Sequence, residues 1–320
     1  MAYTAGDTIL DDEYNTFVNS SSSPFGYNHF AGTGSLTYGL GQSSITTVSA
    51  GDTINASHWN TLFTGMDNIA NHTNITLTTR LAVSAGDPIE IAAAVATDLA
   101  SLATQVNGGS TGATALTTSS ALQTATTGSE GWDNTATQEV SVDFTNANEM
   151  RYFFNAGGKI RVTVGATAAS TSAKDTAFAA LGTALGNMDI AAQASTRSGA
   201  SQTLTTDGFA NGFYDLSTSY TTICLITQSA YAAYNSNTLK MEAKLNAAPG
   251  SSTKITIKMT ASDPASDTQY PSGNGGGVPT DVKNTPKMVT TLFTITPNTT
   301  NGLATAYGAS NTAVVSNTTT

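Results

Sequence analysis

Three histidines, one cysteine and a thin scatter of carboxylates are the residues of this chain with the clearest chemical reach. General acid–base catalysis needs titratable groups within hydrogen-bond reach of a shared substrate, and a metal needs several ligands at fixed spacing. His29, His58 and His72 never stand at the i, i+4 spacing that sets two rings on one helical face. His58 precedes Trp59 on an expected helix and reads as a surface or interface residue. Asp11-Asp12-Glu13 offers carboxylates to a cation, but acids at a helix start are better read as complementing the helix dipole. Asp263 and Asp267 lie in a Pro/Ser loop without the glycine and glutamate of a calcium loop. Gly157-Gly158-Lys159 lacks phosphate-loop spacing, and there is no HExxH, GxSxG or paired CxxC pattern. Cys224, in the apolar run Ile223-Cys224-Leu225-Ile226, reads as a buried inert thiol, and alone it can form neither an internal disulfide nor a multi-cysteine zinc site. Tyr231, Tyr234 and Tyr270 could stack on sugar rings, although packing is the commoner use of tyrosine. The expectation is a protein with no catalytic residues, no cofactor and no metal: not an enzyme.

Composition narrows the partners. Of 320 residues 39% are hydrophobic and only 11% charged, where about a quarter is usual for a globular protein. Polarity comes from Thr, Ser, Asn, Gln and Gly, which suits a β-rich body with a neutral surface. Twelve Lys and Arg against twenty-two Asp and Glu give a net charge of −10, which supplies no basic face for nucleic acid. No stretch approaches the roughly 18 apolar residues of a membrane helix. Met1 to Ala5 has neither the basic nor the apolar region of a secretory signal, so assembly in a cytoplasm is expected.

The elements that position these residues begin with a repeat. Ala5-Gly6-Asp7-Thr8-Ile9, Ala50-Gly51-Asp52-Thr53-Ile54 and Ala85-Gly86-Asp87-Pro88-Ile89 share one pattern, and Asp7, Asp52 and Asp87 are 45 and 35 residues apart. The first two copies continue alike, Tyr14-Asn15-Thr16-Phe17 matching Trp59-Asn60-Thr61-Leu62. Each reads as a turn feeding a short helix, building material rather than catalytic apparatus. Trp59, Leu62, Phe63, Met66 and Ile69 form an apolar stripe, with Asn55 or Ser57 as cap. The third copy runs into an Ala-rich helix through Leu99 and Leu102, ending at Asn107-Gly108-Gly109. Between the first two copies, Phe25-Gly26-Tyr27-Asn28-His29-Phe30 and Tyr38-Gly39-Leu40-Gly41-Gln42 suggest a packed loop that clamps a neighbour.

Residues 1–107 thus form a repeated turn-helix docking region, and 108–136, rich in Gly, Thr, Ser and Ala, a linker. Residues 137–297 read as an antiparallel β-sandwich with one covering helix. Val140, Val142 and Phe144 alternate, then Met150, Tyr152 and Phe154, and Asn155-Ala156-Gly157-Gly158 turns the chain into Ile160, Val162 and Val164 as a hairpin. Phe178, Leu181, Leu185 and Met188 mark the helix, with Ser172-Ala173-Lys174-Asp175 resembling a capping box. Strands follow around Ile223–Ile226, Leu239–Leu245, Ile255–Met259 and Val289–Ile295, and Lys240, Glu242 and Lys244 give one strand a wet face. Gly273 to Gly277 reads as a loop, and 298–320 as a polar tail that docks or moves. The fold class is mainly β with short helices.

Two stretches resemble a known family. Arg151-Tyr152-Phe153-Phe154-Asn155-Ala156-Gly157-Gly158-Lys159-Ile160-Arg161 is similar to the "FFNAGG" hairpin of virion structural proteins of tailed, especially marine, bacteriophages. Upstream, Tyr14-Asn15, Tyr38-Gly39-Leu40-Gly41-Gln42 and Ile54 to Leu62 resemble the aromatic-Asn, Gly-Tyr-Gly-Gln-like and Trp-bearing segments of that family, with Leu40 an insertion. The resemblance covers about residues 5 to 165. It implies a tail, baseplate or fibre-adaptor subunit that is released by lysis and works in the virion. Its partners would be other virion proteins and copies of itself in a three- or six-fold ring, with no nucleic acid. Tyr14, Tyr38, Trp59, Phe63, Phe154, Gly157 and Gly158 would be structural or interface residues. The competing expectations are a head decoration protein, an adhesin domain that binds a host surface glycan, and a polysaccharide-degrading tail enzyme. The last would want paired carboxylates in a groove.

Overall fold

Helix-forming and strand-forming sequence separate in space into two units. The first comprises Met1–Thr117, Asn146–Gly158 and Ile295–Gly308; the second comprises Thr118–Thr145, Lys159–Thr294 and Ala309–Thr320. The structure, a computed structural model, describes residues 11–34, 36–79, 82–85, 92–119, 121–127, 132–166, 173–200, 202–231, 234–264, 268–269, 280–281 and 287–320. The first repeat's Ala5 to Ile9, the third repeat's Gly86 to Ile89, Ser172, Asp267, Tyr270 and Gly273 to Gly277 lie outside the described residues.

The first unit is helical: α1 (Asp11–Asn19), α2 (Tyr27–Phe30), α3 (Ala56–Thr73), α4 (Ala92–Asn107) and α5 (Ala147–Asn155). Asp11, Asp12 and Glu13 occupy the first turn of α1, where carboxylates suit the dipole. Helix α3 starts at Asn55, whose N–H donates to His58 Nδ1 at 3.3 Å, and stops at Asn74 with φ +58°. Its stripe of Trp59, Leu62, Phe63, Met66 and Ile69 is buried. The stripes of the first two repeats pack on each other. Trp59 meets Tyr14 edge-on at 5.5 Å, Phe17 at 6.1 Å and Phe63 at 5.9 Å between ring centroids.

Helix α5 replaces the expected hairpin. Met150, Tyr152 and Phe154 alternate in sequence, but the local chemistry favours a helix. Asn146 Oδ1 accepts the Glu149 N–H at 2.9 Å, an N-cap, and Met150, Phe153 and Phe154 then fall at i, i+3 and i+4 and are fully buried. The expected turn is the helix C-terminus. Gly158 N–H donates to the Phe153 carbonyl at 2.8 Å and Gly157 N–H to that of Phe154 at 3.0 Å, with Gly157 at φ +88°. These two bonds make a Schellman motif, so glycine is required at 157 as expected, but to end a helix.

The second unit carries most of the strands: β1 (Leu116–Thr118), β2 (Gln123–Thr126), β3 (Thr135–Asp143), β4 (Lys159–Ala166), β5 (Met188–Ile190), β6 (Ser195–Arg197), β7 (Thr203–Asp207), β8 (Thr221–Thr227), β9 (Thr238–Leu245), β10 (Lys254–Ser262), β11 (Thr268–Gln269), β12 (Thr280–Asp281), β13 (Met288–Pro297) and β14 (Asn311–Thr319). One sheet runs β1-β13-β4-β5-β6, with β2 also on β13, and the other β14-β3-β10-β9-β8-β7. Ile255, Ile257 and Met259 of β10 stand opposite Val142, Val140 and Gln138 on one side and Leu245, Ala243 and Met241 on the other. These residues are buried. Between the sheets, Thr290 Oγ1 donates to Gln138 Oε1 at 2.6 Å. Helix α6 (Ala173–Leu185) lies against β4 of one sheet and β8 and β9 of the other. This is the expected mainly antiparallel sandwich-like architecture with short helices.

Two segments depart from the expected boundaries. Residues 108–136, read as a linker, supply β1 and β2, and bury Ala115, Ala125 and Trp132. Trp132 packs edge-on against Phe178 of α6 at 5.3 Å. The two strands of this segment are mostly exposed or half-buried and are held by pairing with β13, which composition alone does not report. The tail beyond 298 is also built in. Strand β14 pairs with β3 from Asn311↔Asp143 to Thr319↔Ala136, with a bulge between Val314 and Ser316.

Candidate functional site in the helical unit

The two stretches that carry the family resemblance meet inside the helical unit. Helix α5 presents Arg151 and Asn155 one turn apart to the loop at Tyr38-Gly39. Arg151 Nη1 donates to the Tyr38 carbonyl at 2.6 Å and Nη2 to the Thr33 carbonyl at 2.5 Å; Asn155 Nδ2 donates to the Tyr38 and Gly39 carbonyls at 2.8 and 3.1 Å. The Tyr307 hydroxyl donates to the Leu40 carbonyl, and Gln42 Oε1 accepts the Ala304 N–H at 3.0 Å. Gly41, at φ +64°, has no room for a side chain, because a Cβ would strike the Tyr307 hydroxyl and the Tyr152 ring. The loop expected to clamp a neighbour is thus held by its own unit. Arg151 is 6% exposed and Asn155 is fully buried.

A second device was missed from sequence. Three asparagines each follow a buried aromatic, Tyr14, Tyr27 or Trp59, and each clamps the backbone of a β-branched residue by donating to its carbonyl and accepting its N–H. Asn15 holds Val48 at 2.8 and 2.9 Å, Asn28 holds Ile45 at 2.8 Å twice, and Asn60 holds Val83 at 2.9 Å twice. Val48-Ser49 and Val83-Ser84 both immediately precede the Ala-Gly-Asp turn. Each repeat helix therefore grips the approach to the next repeat. The legible signal was the upstream extension of the repeat to Val-Ser-Ala-Gly-Asp. In the third copy Val95 stands where the asparagine would be, at the same distance from Asp87 as Asn60 is from Asp52.

The histidines stay apart. The His29 ring stacks on Phe25 at 4.2 Å and lies 4.8 Å from Tyr38. His58 serves the start of α3. His72 Nε2 donates to the Ala156 carbonyl at 2.9 Å, and burial lowers its pKa against the smaller opposing effect of that bond. Burial pushes the Cys224 thiol up to about 11, as an inert interior thiol requires. Among the described residues no three His, Cys, Asp or Glu side chains gather to hold a metal ion. Of the expected site residues, Tyr14, Trp59 and Phe63 come together, Tyr38 joins the α5 junction, and Phe154 packs edge-on to Phe153 at 5.1 Å. Gly157 sits against the Ser110 carbonyl and Gly158 against the Phe153 carbonyl, each too close for a comfortable Cβ.

In the sandwich unit the charges gather on one sheet face. Lys258 stands opposite Glu139 and Glu242 in register, and Glu242 pairs with Lys240 and Lys258 at 2.7 Å each. Burial works to raise the Glu242 carboxyl, but hydrogen bonds and charge from these lysines outweigh it and hold it below the ordinary value. Lys244 and Lys258 lie 4.3 and 4.0 Å from the Tyr220 ring centroid. Tyr231 and Tyr234 are half-buried at a turn.

Two open grooves of ligand size lie in the helical unit, one of about 530 Å³ lined by α1, Ser20 to Ser22 and Thr47, and a second of about 520 Å³. The second opens between the 42–45 segment, α3 and Ala304, with Tyr27 in its wall. Its lining carries no charged side chain.

Comparison of the chain with protein-family models, curated proteins and solved structures found no match.

Proposed function

We propose that this chain is a non-enzymatic structural subunit of a tailed-bacteriophage virion, placed in the tail, baseplate or fibre adaptor. The observation that carries the reading is the α5 junction. The segments resembling phage virion proteins are two halves of one buried lock, with Arg151 and Asn155 committed to the carbonyls of Tyr38 and Gly39. A shared motif of this kind preserves architecture, so the resemblance concerns a building part. The low charge content and the repeated clamps support the same reading. Its partners are then other virion proteins and further copies of itself in a closed ring. Among the described residues no helix is long and apolar enough to cross a membrane.

Gold-labelled antibody against residues 140–295, applied to intact particles, tests the placement. Decoration of the tail or its tip is expected. Labelling confined to the head shell overturns the tail placement in favour of a capsid decoration protein. Particles that carry no label and lack the chain by mass analysis overturn the virion reading itself.

A further inference from the structure

We infer that Lys174 and Asp263 close an isopeptide bond, a covalent tie between α6 and the end of β10. Lys174 Nζ lies 3.0 Å from Asp263 Oδ2, and the two side chains are 1% and 0% exposed. A lysine in this place breaks local rules. It is the second residue of the 13-residue α6, at the end where the helix dipole disfavours a cation. Buried ion pairs are often no more stabilising than apolar residues of similar volume, so stability alone does not account for the pair.

The surroundings suit a condensation. Phe178, Leu181 and Leu185 follow Lys174 at i+4, i+7 and i+11 on one face of α6 and are buried. Trp132, 2% exposed, packs on Phe178 and stands two residues before Asn134, whose carbonyl accepts the Asp263 N–H at 2.8 Å. Both reacting residues are therefore fixed to regular elements beside buried aromatic rings. Desolvation activates an amine as a nucleophile, and fixed elements hold nitrogen and carboxyl carbon at high effective concentration. Excluding water also removes the reagent of the reverse reaction.

Before the bond closes, the two residues are the ion pair of the structure. One proton passes along the contact from ammonium to carboxylate, leaving an amine beside a carboxylic acid. The amine lone pair forms the Nζ–Cγ bond and the Cγ–hydroxyl bond breaks. The hydroxyl leaves as water with a proton released by the nitrogen, so no oxidant or further reactant is needed. With one cysteine the chain can form no internal disulfide, and an amide between side chains ties the covering helix to its sheet instead.

Mass analysis of the purified full-length chain, folded, incubated overnight and then denatured, tests the bond without any particle. The parent is expected to be lighter than its sequence by one water, about 18 Da. Trypsin should release peptides 162–197 and 259–283 joined, with Lys174 uncut. Lys174→Arg keeps the charge but not the amine and should show its full sequence mass, as should Asp263→Ala. A parent at full sequence mass overturns the proposal. So does a water loss that persists in Lys174→Arg or maps to other residues. The parent's mass and the joined peptides decide the outcome even where neither variant folds.

Discussion

Replacing Arg151 by methionine should unlock the helical unit, at a cost that follows from its geometry. The guanidinium is buried and makes two short charge-assisted hydrogen bonds, at 2.6 Å to the Tyr38 carbonyl and 2.5 Å to that of Thr33. Bonds to a charged group contribute about 1.5–3 kcal/mol each. Two corrections reduce the sum. Tyr38 O keeps the Asn155 amide at 2.8 Å and Thr33 O keeps a long contact with the Tyr152 hydroxyl at 3.4 Å, so neither carbonyl is orphaned. Methionine also preserves the aliphatic stem and removes the desolvation cost of a buried cation. The net expectation is a loss of about 3 kcal/mol, or roughly two decades in the unfolding constant. The two tryptophans make the assay clean, since Trp59 belongs to the helical unit and Trp132 to the sandwich. In a Trp132→Phe background, urea unfolding followed by fluorescence reports from Trp59 alone. Arg151→Lys keeps the charge but not the planar fork, and should lose most of the same stability. A shift below about 1 kcal/mol for methionine would refute the lock. A lysine variant as stable as the parent would show that charge matters and the paired carbonyl contacts do not.

Asn60→Asp removes the donor to the Val83 carbonyl and sets a charge against it, so about 1–3 kcal/mol should be lost, with Asn15→Asp behaving alike at Val48; a neutral effect at both positions, by the same fluorescence, sinks the clamp. Gly157→Ala must hold φ +88° with a Cβ 3.0 Å from the Ser110 carbonyl, whereas Gly51→Ala at φ +89° meets open space. Both should cost about 1 kcal/mol from backbone strain, with an added penalty at 157 alone, and equal thermal shifts would count against the packing argument. Burial lowers the His72 pKa, so the unfolded chain takes up a proton near pH 6.5 that the folded chain resists. That contribution to stability is complete above about pH 6.5 and is lost as the pH falls below it; His72→Gln should flatten the slope, and an unchanged slope assigns it elsewhere. Lys174→Met removes the cation 3.0 Å from the buried Asp263 carboxylate and should cost about 3 kcal/mol in sandwich unfolding followed at Trp132. Adding Asp263→Asn should restore part of the loss, and full additivity of the two changes argues against the pair.

Local rules determined much of this protein. The period of 3.6 in Trp59, Leu62, Phe63, Met66 and Ile69 was enough for α3, and the alternation of Leu239 to Leu245 and Val140 to Val142 was enough for β9 and β3. A chain with few charges and many Thr, Ser and Asn residues pointed to a β-rich body, and the need for glycine at 157 was legible from the turn-forming pair. The sequence also named both resembling stretches, Arg151 to Gly158 and Tyr38 to Gln42, and both now lie in the candidate site region.

Tertiary contacts decided the rest. Met150, Tyr152 and Phe154 satisfy period two as well as a short helix does, and only the Asn146 cap and the burial of Phe153 beside Phe154 choose the helix. Residues 108–136 read as a linker because small polar residues suit a linker and a largely exposed strand equally, and for 298–320 composition left docking and motion equally open. Pairing with β13 or β3 is a non-local event that no window reports. The asparagine clamps span 17 to 33 residues, too far for local propensity. The groove at Tyr27 likewise draws on the 42–45 segment, α3 and Ala304, segments whose approach depends on packing. Side-chain type and local period are written in the chain one residue at a time, whereas a shared wall exists only once distant segments have closed on one another.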